Sequence, residues 1–274
     1  MRMKKFVIVL FLAAFFPATS LFATGYYTEL LGGYTTVSMA KVNSDIITTT
    51  TGPNISNTQL GNAWYAGVDA MYIAPEGLGF HFRVEYIGVV PGEITDTNVT
   101  NYPFPAQNYQ YQDYQISPSM LPLMLGLSYT FHGKGNPFTL TAGVYGGVAD
   151  AFLDYYEHTI TASPDDFEDS YDAMYEGWGF CGEAVVNANY WFTKNFSFGL
   201  DFGYRYANIS GMTTDSTVYD RYGTFVMDAN TPLRGVNGNV NTDFTGLIAG
   251  INFTYRFDGW WVRREHAEVI ETGW

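Results

Sequence analysis

Eight ionisable side chains share one face of an alternating pattern, and their types could do chemistry. Their positions are Asp69, His81, Arg83, Glu85, Glu183, Asp201, Arg205 and Arg256. Carboxylates and guanidiniums that are enclosed together form ion pairs, because a buried charge persists only when it is paired and hydrogen-bonded. We therefore predict a network of ion pairs that fills an enclosed space. The alternative is a narrow pathway for ions or small solutes, whose selectivity such charges would tune.

The residues lie on segments in which apolar and polar side chains alternate with a period of two, which indicates strands. In residues 195–207, bulky apolar side chains alternate with Ser, Gly, Asp and Arg, and successive side chains of a strand point to opposite faces. Eight segments are strand-like, although the facing of the first is unclear: 26–41, 64–72, 80–87, 120–131, 138–149, 178–192, 195–207 and 246–257. The length of most of these segments is close to the roughly ten residues that a tilted strand needs to cross a membrane.

The connections alternate in length. Long segments lie at 43–61, 91–113, 154–176 and 208–243, and short turns at 76–77, 132–137 and 193–195. Short turns join antiparallel neighbours, so the pattern predicts an up-and-down meander with both termini on the side of the short turns. Residues 218–227 within the last long segment read partly as an extra hairpin.

The volume of the apolar face indicates which side points inward. An eight-stranded barrel has an interior only just wide enough for side chains, and the apolar face carries roughly 40 large residues. A soluble two-sheet sandwich could enclose more of them, but it predicts Lys and Glu on its solvent face. That face is instead mostly Gly, Thr, Ser and Asn. The sequence therefore favours a membrane barrel whose rings face lipid.

Aromatic residues concentrate near the strand ends, which is typical of the two interfacial girdles of a membrane barrel. The residues that we expect in these lipid-facing girdles are Trp64, Tyr72, Phe80, Tyr129, Phe131, Trp178, Tyr190, Tyr204, Tyr206, Tyr255 and Phe257.

The N-terminus predicts export. Three basic residues precede an apolar run over 6–16, which is too short to span a bilayer but matches a signal peptide. We expect three parts: a signal peptide over 1–23, a barrel over 24–257 and a short periplasmic tail over 258–274. In that tail, Trp260 and Trp261 would sit at the inner girdle.

The charge and cysteine content limit the possible partners and bonds. Without Arg2, Lys4 and Lys5 the chain has ten basic against 27 acidic residues, a formal charge of −17. This sign argues against nucleic acid as a partner. The single cysteine, Cys181, excludes an internal disulfide.

Four segments give the chain a family resemblance: 120–131, 136–146, 195–207 and 250–257. It resembles the small eight-stranded outer-membrane barrels of the OmpA/OmpX type. The resemblance implies an all-β, transmembrane, antiparallel up-and-down barrel with four long extracellular loops and short periplasmic turns. It also implies a bacterial outer-membrane location, contact with outer-membrane lipid and lipopolysaccharide, and recognition of the last strand by the outer-membrane insertion machinery. It implies no cofactor and says little about activity.

The sequence is compatible with three functions. We expect a non-enzymatic structural or surface-interaction scaffold, and a narrow porin-like channel is the alternative. A lipid-modifying enzyme is a weaker third hypothesis, because only His158, with Asp154 and a nearby Ser or Thr, is placed for chemistry at the outer leaflet.

The long loops suggest two kinds of binding. An acidic stretch offers a weak calcium site at Asp165, Asp166, Glu168 and Asp169, but it lacks the EF-hand pattern, so a solvated loop is expected. Tyrosines among Asn and Gln in the second and fourth loops suit contacts with extracellular ligands, or else they extend strands above the membrane.

Overall fold

The computed structural model describes residues 25–47, 55–101, 107–132, 137–162, 167–235 and 238–257. The expected signal peptide and the tail after Phe257 lie outside these ranges. No helix in the described ranges is long and apolar enough to cross a membrane.

The described residues form sixteen strands and one short helical segment. The strands are β1 Tyr26–Thr36, β2 Ile55–Asn57, β3 Asn62–Ile73, β4 Leu78–Val89, β5 Gly92–Asn101, β6 Gln107–His132, β7 Phe138–Ala162, β8 Phe167–Trp191, β9 Phe196–Ile209, β10 Thr213–Thr214, β11 Val218–Tyr219, β12 Phe225–Met227, β13 Arg234–Gly235, β14 Gly238–Asn239, β15 Thr242–Asp243 and β16 Gly246–Phe257. The helix α1 spans Ala40–Val42 and continues as a π-helical turn over Asn43–Ile47.

Eight of these strands close into a ring. Their order around it is β1, β3, β4, β6, β7, β8, β9 and β16, and every neighbouring pair is antiparallel. The last strand returns to the first, with Tyr26 opposite Phe257 and Thr35 opposite Ile248. The predicted eight-stranded antiparallel up-and-down barrel is confirmed.

Short turns connect the strands at one end of the ring, here named the turn end. Between β3 and β4, Gly77 has a positive φ of 94° and its amide donates to the Ala74 carbonyl over 2.9 Å. Between β8 and β9, the Thr193 hydroxyl accepts from the amides of Asn195 and Phe196 over 3.2 and 3.0 Å. Both ends of the described barrel, Tyr26 and Phe257, lie at this turn end, as the alternation of connection lengths predicted.

The opposite end, here named the loop end, differs from the sequence expectation. The segments 91–113 and 154–176 are largely strand: β5 pairs with β6 from Gly92 to Asn101, and β7 pairs with β8 out to Thr161. They are rich in Tyr and Thr, which fit a pleated surface. The strands β6, β7 and β8 thus continue well beyond the ring.

Two further differences concern the first strand and the last long segment. The strand expected over 26–41 ends at Thr36, because the chain turns at Met39, whose φ is 41°, and enters α1. The hairpin suggested within 218–227 is present, formed by β11 and β12.

The apolar core lies at the loop end. Helix α1 and the π-helical turn bring Met39, Val42 and Ile47 over the mouth of the ring, where they join Phe244 and Leu233 in one buried cluster. Within the ring, by contrast, the interior is mostly polar, although Leu31, Met124 and Val185 are buried there, and most apolar side chains point outward.

Candidate functional site

The ring encloses seven of the eight ionisable residues singled out in the sequence. All seven are buried, on β3, β4, β8 and β9: Asp69, His81, Arg83, Glu85, Glu183, Asp201 and Arg205. The eighth, Arg256, is only half-buried and lies at the turn end, where its guanidinium carbon is 5.9 Å from the centre of the Tyr27 ring.

The upper part of the network is centred on Arg205, which is fully buried. Strand pairing places Arg205 directly opposite Glu183, and its Nε donates to Glu183 Oε1. Its Nη2 donates to Glu85 Oε2. One guanidinium therefore bridges two carboxylates on opposite walls of the barrel.

The lower part is centred on Arg83. Its Nε and Nη2 donate to Asp69 Oδ2 over 3.1 and 2.9 Å, and Nη2 also donates to the Tyr145 hydroxyl over 2.9 Å. Its Nη1 lies 3.4 Å from Glu183 Oε2 and 3.6 Å from Glu85 Oε1. Arg83 therefore joins the lower and upper clusters into one network.

Sequence reasoning missed Glu29, which is also buried inside the ring. Its Oε2 accepts from Thr254 Oγ1 over 3.0 Å and from Asn187 Nδ2 over 3.3 Å. The alternation that places Glu29 inward is present in β1, since Leu30 and Tyr34 point outward, but Gly32 and Gly33 interrupt it.

The lumen network is acidic as a whole. It contains five buried carboxylates against two buried guanidiniums, with His81 in addition: Glu29, Asp69, Glu85, Glu183 and Asp201 against Arg83 and Arg205. Asp201 is held by neutral amides, because Asn187 Nδ2 and Asn252 Nδ2 donate to its Oδ1 over 2.8 and 2.9 Å. Amide donors thus stabilise a carboxylate for which the two guanidiniums make no hydrogen bond.

A serine, a histidine and an aspartate are linked in the lower lumen. His81 Nδ1 is 3.0 Å from Asp69 Oδ2, and His81 Nε2 is 2.7 Å from Ser128 Oγ. These contacts have the lengths of a nucleophilic triad. Strand pairing across β3, β4 and β6 brings the three residues together, and their spacing in the sequence gives no sign of this arrangement.

Buried apolar side chains lie above the ion pairs. Ile87 lies two positions beyond Glu85 on the same face, opposite Met120, which is opposite Ala151. All three are fully buried, and so is Ala207, two positions beyond Arg205. The charged network is therefore covered by an apolar layer on the side of the loop end.

Below the network the lumen widens into a chamber of about 490 Å³ at the turn end. Glu29, His81, Arg83 and Tyr145 line the end of the chamber next to the network. Its wall is mostly Thr, Asn and aromatic side chains: Tyr27, Thr130, Thr139, Thr141, Asn187, Asn189, Trp191 and Thr254. Lys194 and Arg256 lie in its lining near the turn end. Ser128 is not part of this lining.

The outer surface of the ring carries the residues assigned to the girdles. At the loop end these are Trp64, Trp178, Tyr204 and Tyr206, and at the turn end Tyr72, Phe80, Tyr129, Phe131, Tyr190, Tyr255 and Phe257. All are exposed except Tyr72 and Tyr255, which pack against Tyr26 and Phe196 and are half-buried. The two rows are separated on β3 by eight residues, about 26 Å along a strand.

A closed ring with an apolar belt is how strands cross a membrane, because no backbone group is left unpaired in lipid. The chain is an integral outer-membrane barrel. In such barrels the short turns face the periplasm and the long connections face outward, so the turn end is periplasmic and the loop end extracellular.

Two extracellular residues singled out in the sequence, His158 and Glu168, lie in one surface cluster. His158 Nε2 and Arg221 Nη1 lie 3.1 and 2.9 Å from Glu168 Oε1. These two hydrogen bonds hold the pKa of Glu168 below its usual value. Asp169 Oδ1 accepts from the Ser170 amide, while Asp165 and Asp166 lie outside the described residues. Within the described ranges no three His, Cys, Asp or Glu side chains are grouped as for a metal ion.

Tyrosines line the inner face of the extracellular strands. The rings of Tyr114 and Tyr155 are 6.2 Å apart, and those of Tyr155 and Tyr171 are 6.0 Å apart. Glu157 accepts from the hydroxyls of Tyr171 and Tyr155 over 2.6 and 3.3 Å. Burial raises the pKa of both tyrosines above the usual range. Tyr114 therefore lies in a strand that extends beyond the ring, which is one of the two readings of the second loop.

No protein-family model and no curated protein matches the chain. Among solved structures it is similar to the outer membrane protein OprG from Pseudomonas aeruginosa, with 15% identity over 86% of this chain and 98% of that one and a TM-score of 0.38. Neisserial surface protein A matches with 10% identity over 86% and 99% and a TM-score of 0.36. The outer membrane protease OmpT from Escherichia coli matches with 10% identity over 88% and 99% and a TM-score of 0.32.

These likenesses do not extend to function. The identities and TM-scores are too low to transfer a ligand or an activity, and the barrel assignment rests on the strand pairing of this chain. The resemblance to small outer-membrane barrels drawn from the sequence agrees with that pairing at the level of the fold.

Proposed function

We propose that the chain is a non-enzymatic outer-membrane scaffold with a closed lumen, which presents its extracellular strands to the outside. The observation that carries this proposal is the fully buried Arg205, bonded to Glu85 and Glu183 from opposite walls. The apolar layer of Ile87 and Met120 above it supports the proposal further. Ions would have to cross both layers, in a barrel whose interior side chains nearly fill it.

Conductance in planar lipid bilayers tests the closed lumen. We expect the refolded protein to show no stable openings, with folding verified by heat-modifiable mobility of the same sample. Stable openings whose size changes on Arg83→Ala or Asp201→Ala, but not on the extracellular Arg221→Ala, would establish the narrow channel instead.

The absence of catalysis is proposed despite the Ser128, His81 and Asp69 arrangement. Ser128 is buried and does not line the chamber, and Asp69 Oδ2 is shared with Arg83. The linkage therefore suits a structural hydrogen-bond chain better than a nucleophile with access to substrate. A fluorophosphonate probe should leave the wild-type protein unlabelled, and lipid A incubated with the protein should keep its acyl count. Labelling that disappears in Ser128→Ala would contradict this part of the proposal.

The extracellular strands are proposed as the contact surface for partners outside the cell. Their support is the exposed Tyr156, Tyr219 and Tyr222, since Tyr-rich surfaces suit adaptable binding. The belt would contact membrane lipid and lipopolysaccharide, and β16 would serve the insertion machinery through its aromatic end.

Labelling of intact cells tests this orientation. In a Cys181→Ser background, a membrane-impermeant maleimide should react with Tyr222→Cys, which is exposed in the extracellular part, and not with Phe202→Cys on the belt. Reaction at Phe202→Cys with none at Tyr222→Cys would reject it.

A further inference from the structure

We infer that the chamber at the turn end binds a small hydroxylated carboxylate of the size of a sugar acid. This inference goes beyond the closed scaffold, because it assigns a ligand to the periplasmic end of the lumen, beneath the ion pairs. The contacts proposed for the scaffold are otherwise extracellular.

The chamber has the size and the walls of a small-molecule site. Its volume of about 490 Å³ falls within the range of ordinary ligand pockets. On one side the rings of Tyr27 and Trp191 lie edge to face, with their centres 5.9 Å apart. The rest of the wall is mostly threonine and asparagine. Aromatic rings beside hydroxyl and amide groups suit a ligand that has both C–H faces and hydroxyl groups.

The charged side chains of the lining favour an anion near the turn end. They are Arg83, Lys194 and Arg256 against a single carboxylate, Glu29. The charge of Arg83 is balanced by its hydrogen bonds to Asp69, which lies outside the lining. Even without Arg83, Lys194 and Arg256 outnumber Glu29. Because Glu29 lies at the opposite end of the chamber, next to the network, the carboxylate of the ligand should lie near the turn end.

An asparagine on the chamber wall makes no hydrogen bond to the described residues. Asn189 is only 7% exposed and lines the chamber, and its Oδ1 has no partner in the described part of the chain. A buried amide without partners is unfavourable, so a ligand hydroxyl group gains from bonding to it. Either end of an amide can bond a hydroxyl group, which both donates and accepts.

Two further groups of the lining have unused hydrogen-bonding capacity. Thr139 lies directly opposite Asn189 in the strand pairing, and its hydroxyl accepts from Trp191 Nε1 over 3.1 Å. The hydroxyl therefore still has its own proton to donate. At the other end of the chamber, Glu29 Oε2 accepts two hydrogen bonds, whereas Oε1 accepts none within the described ranges. A ligand hydroxyl group can donate to this oxygen.

A hydroxylated carboxylate can satisfy all of these groups at once. Its charge suits the turn end, and its hydroxyl groups suit the amide wall and Glu29 Oε1. A neutral sugar brings no charge for the turn end, and a fatty acid brings no donor for Glu29. A cation would meet Lys194 and Arg256.

Titration with glucuronate tests the site. The protein is refolded in a non-ionic detergent, and the ¹⁵N resonance of the Trp191 indole, assigned with Trp191→Phe, is the readout, because Trp191 lines the chamber. We expect a saturable shift with glucuronate. Glucose has a hydroxymethyl group in place of the carboxylate and should bind about tenfold more weakly or worse, as expected for loss of a hydrogen bond between charged groups. Glucosamine should give no saturable shift. No saturable shift with glucuronate, or equal affinity for glucose or glucosamine, would overturn the inference.

Three variants locate the binding. Arg256→Gln should weaken it about tenfold to a hundredfold, and Asn189→Leu about threefold to tenfold, because a hydrogen bond to a charged group contributes more than a neutral one. Thr141→Trp should abolish binding by filling the chamber without changing its charge. The extracellular Arg221→Gln removes the same charge elsewhere and should bind as the wild type does.

Folding of each variant is verified by heat-modifiable mobility. Unchanged affinity in any folded variant of the three would place the ligand elsewhere and reject the site. Bilayer conductance, measured separately, decides whether the lumen is closed, so the two proposals fail independently.

Discussion

The membrane ring and the extracellular part of the same strands carry their apolar side chains on opposite faces. On β7, Leu140, Val144 and Val148 are exposed on the outer face of the ring. Farther along, the same face carries Asp150 and Asp154, while the inner face changes from polar to apolar at Ala149, Ala151 and Leu153. The pairing of β7 with β8 is continuous through this change.

The difference shows that the surroundings, not the strand, decide which side chains point where. Lipid covers the ring, so apolar groups lie outside and the narrow lumen holds polar groups that pair with one another. Water surrounds the extracellular part, so its apolar groups must collect inside. The reversal between Val148 and Asp150, next to Trp178, marks the outer boundary of the membrane belt.

The largest expected effect is on the polar interior of the ring. Arg205→Met should lower the free energy of unfolding by about 3–5 kcal/mol, because Glu85 and Glu183 lose their shared partner while remaining buried. The extracellular Arg221→Met should have almost no effect, since exposed ion pairs contribute little. Urea unfolding in lipid vesicles measures both variants. Equal losses would mean that the two polar regions do not differ in burial.

The apolar interior of the extracellular part should be nearly as sensitive. Leu153→Ala should cost about 2–5 kcal/mol, because this side chain is fully buried in the extracellular core. Leu140→Ala, on the lipid-facing side of the same strand, leaves no cavity inside the protein and should cost clearly less. The same unfolding measurement applies, and a larger loss for Leu140→Ala would reverse the comparison.

A charge placed on the outer face of β6 should distinguish lipid from water. Leu125→Arg should cost about 2–4 kcal/mol if the residue lies near the membrane centre. Ser117→Arg, on the same face of the same strand beyond the belt, should cost less than about 1 kcal/mol. Folding free energies in vesicles provide the measurement. A small cost at Leu125 would place this face in water.

The smallest effect concerns the extracellular charge cluster. The pKa of Glu168 is lowered by hydrogen bonds from His158 and Arg221, so its contribution to stability is present above its ordinary pKa and is lost as the pH falls through the lowered value. Arg221→Met should raise the pKa towards its ordinary value. Carboxyl carbon NMR during a pH titration measures it, and an unchanged titration in Arg221→Met would show that the cluster does not form in solution.

The sequence predicted the ring but not the extracellular strands, and the reason is physical. Alternation is readable where one face is strongly apolar, as for Leu123, Leu125 and Leu127. Beyond the belt, β6 carries Tyr and Gln on both faces, so the period of two is masked although the backbone pairing continues.

The lumen residues were predictable as a set, but their partners were not. The alternation of inward and outward positions along each strand places Glu85 and Arg205 inside the ring. Only the strand register and the closure of the ring bring the two side chains together across the lumen. Glu29 was missed because two glycines interrupt the alternation of β1, and Ser128 because a hydroxyl on a polar face gives no signal of its own.

The most direct test of the account is a spin-label scan along the outer face of β7, at Leu140, Val144, Val148, Asp154 and Tyr156, with Phe202 on β9 as a second belt position. Accessibility to oxygen and to a water-soluble nickel complex is compared at each site. We expect lipid exposure at the first three positions and at Phe202, and water exposure at the last two positions of β7. Water exposure at Val144 and Phe202 would contradict it.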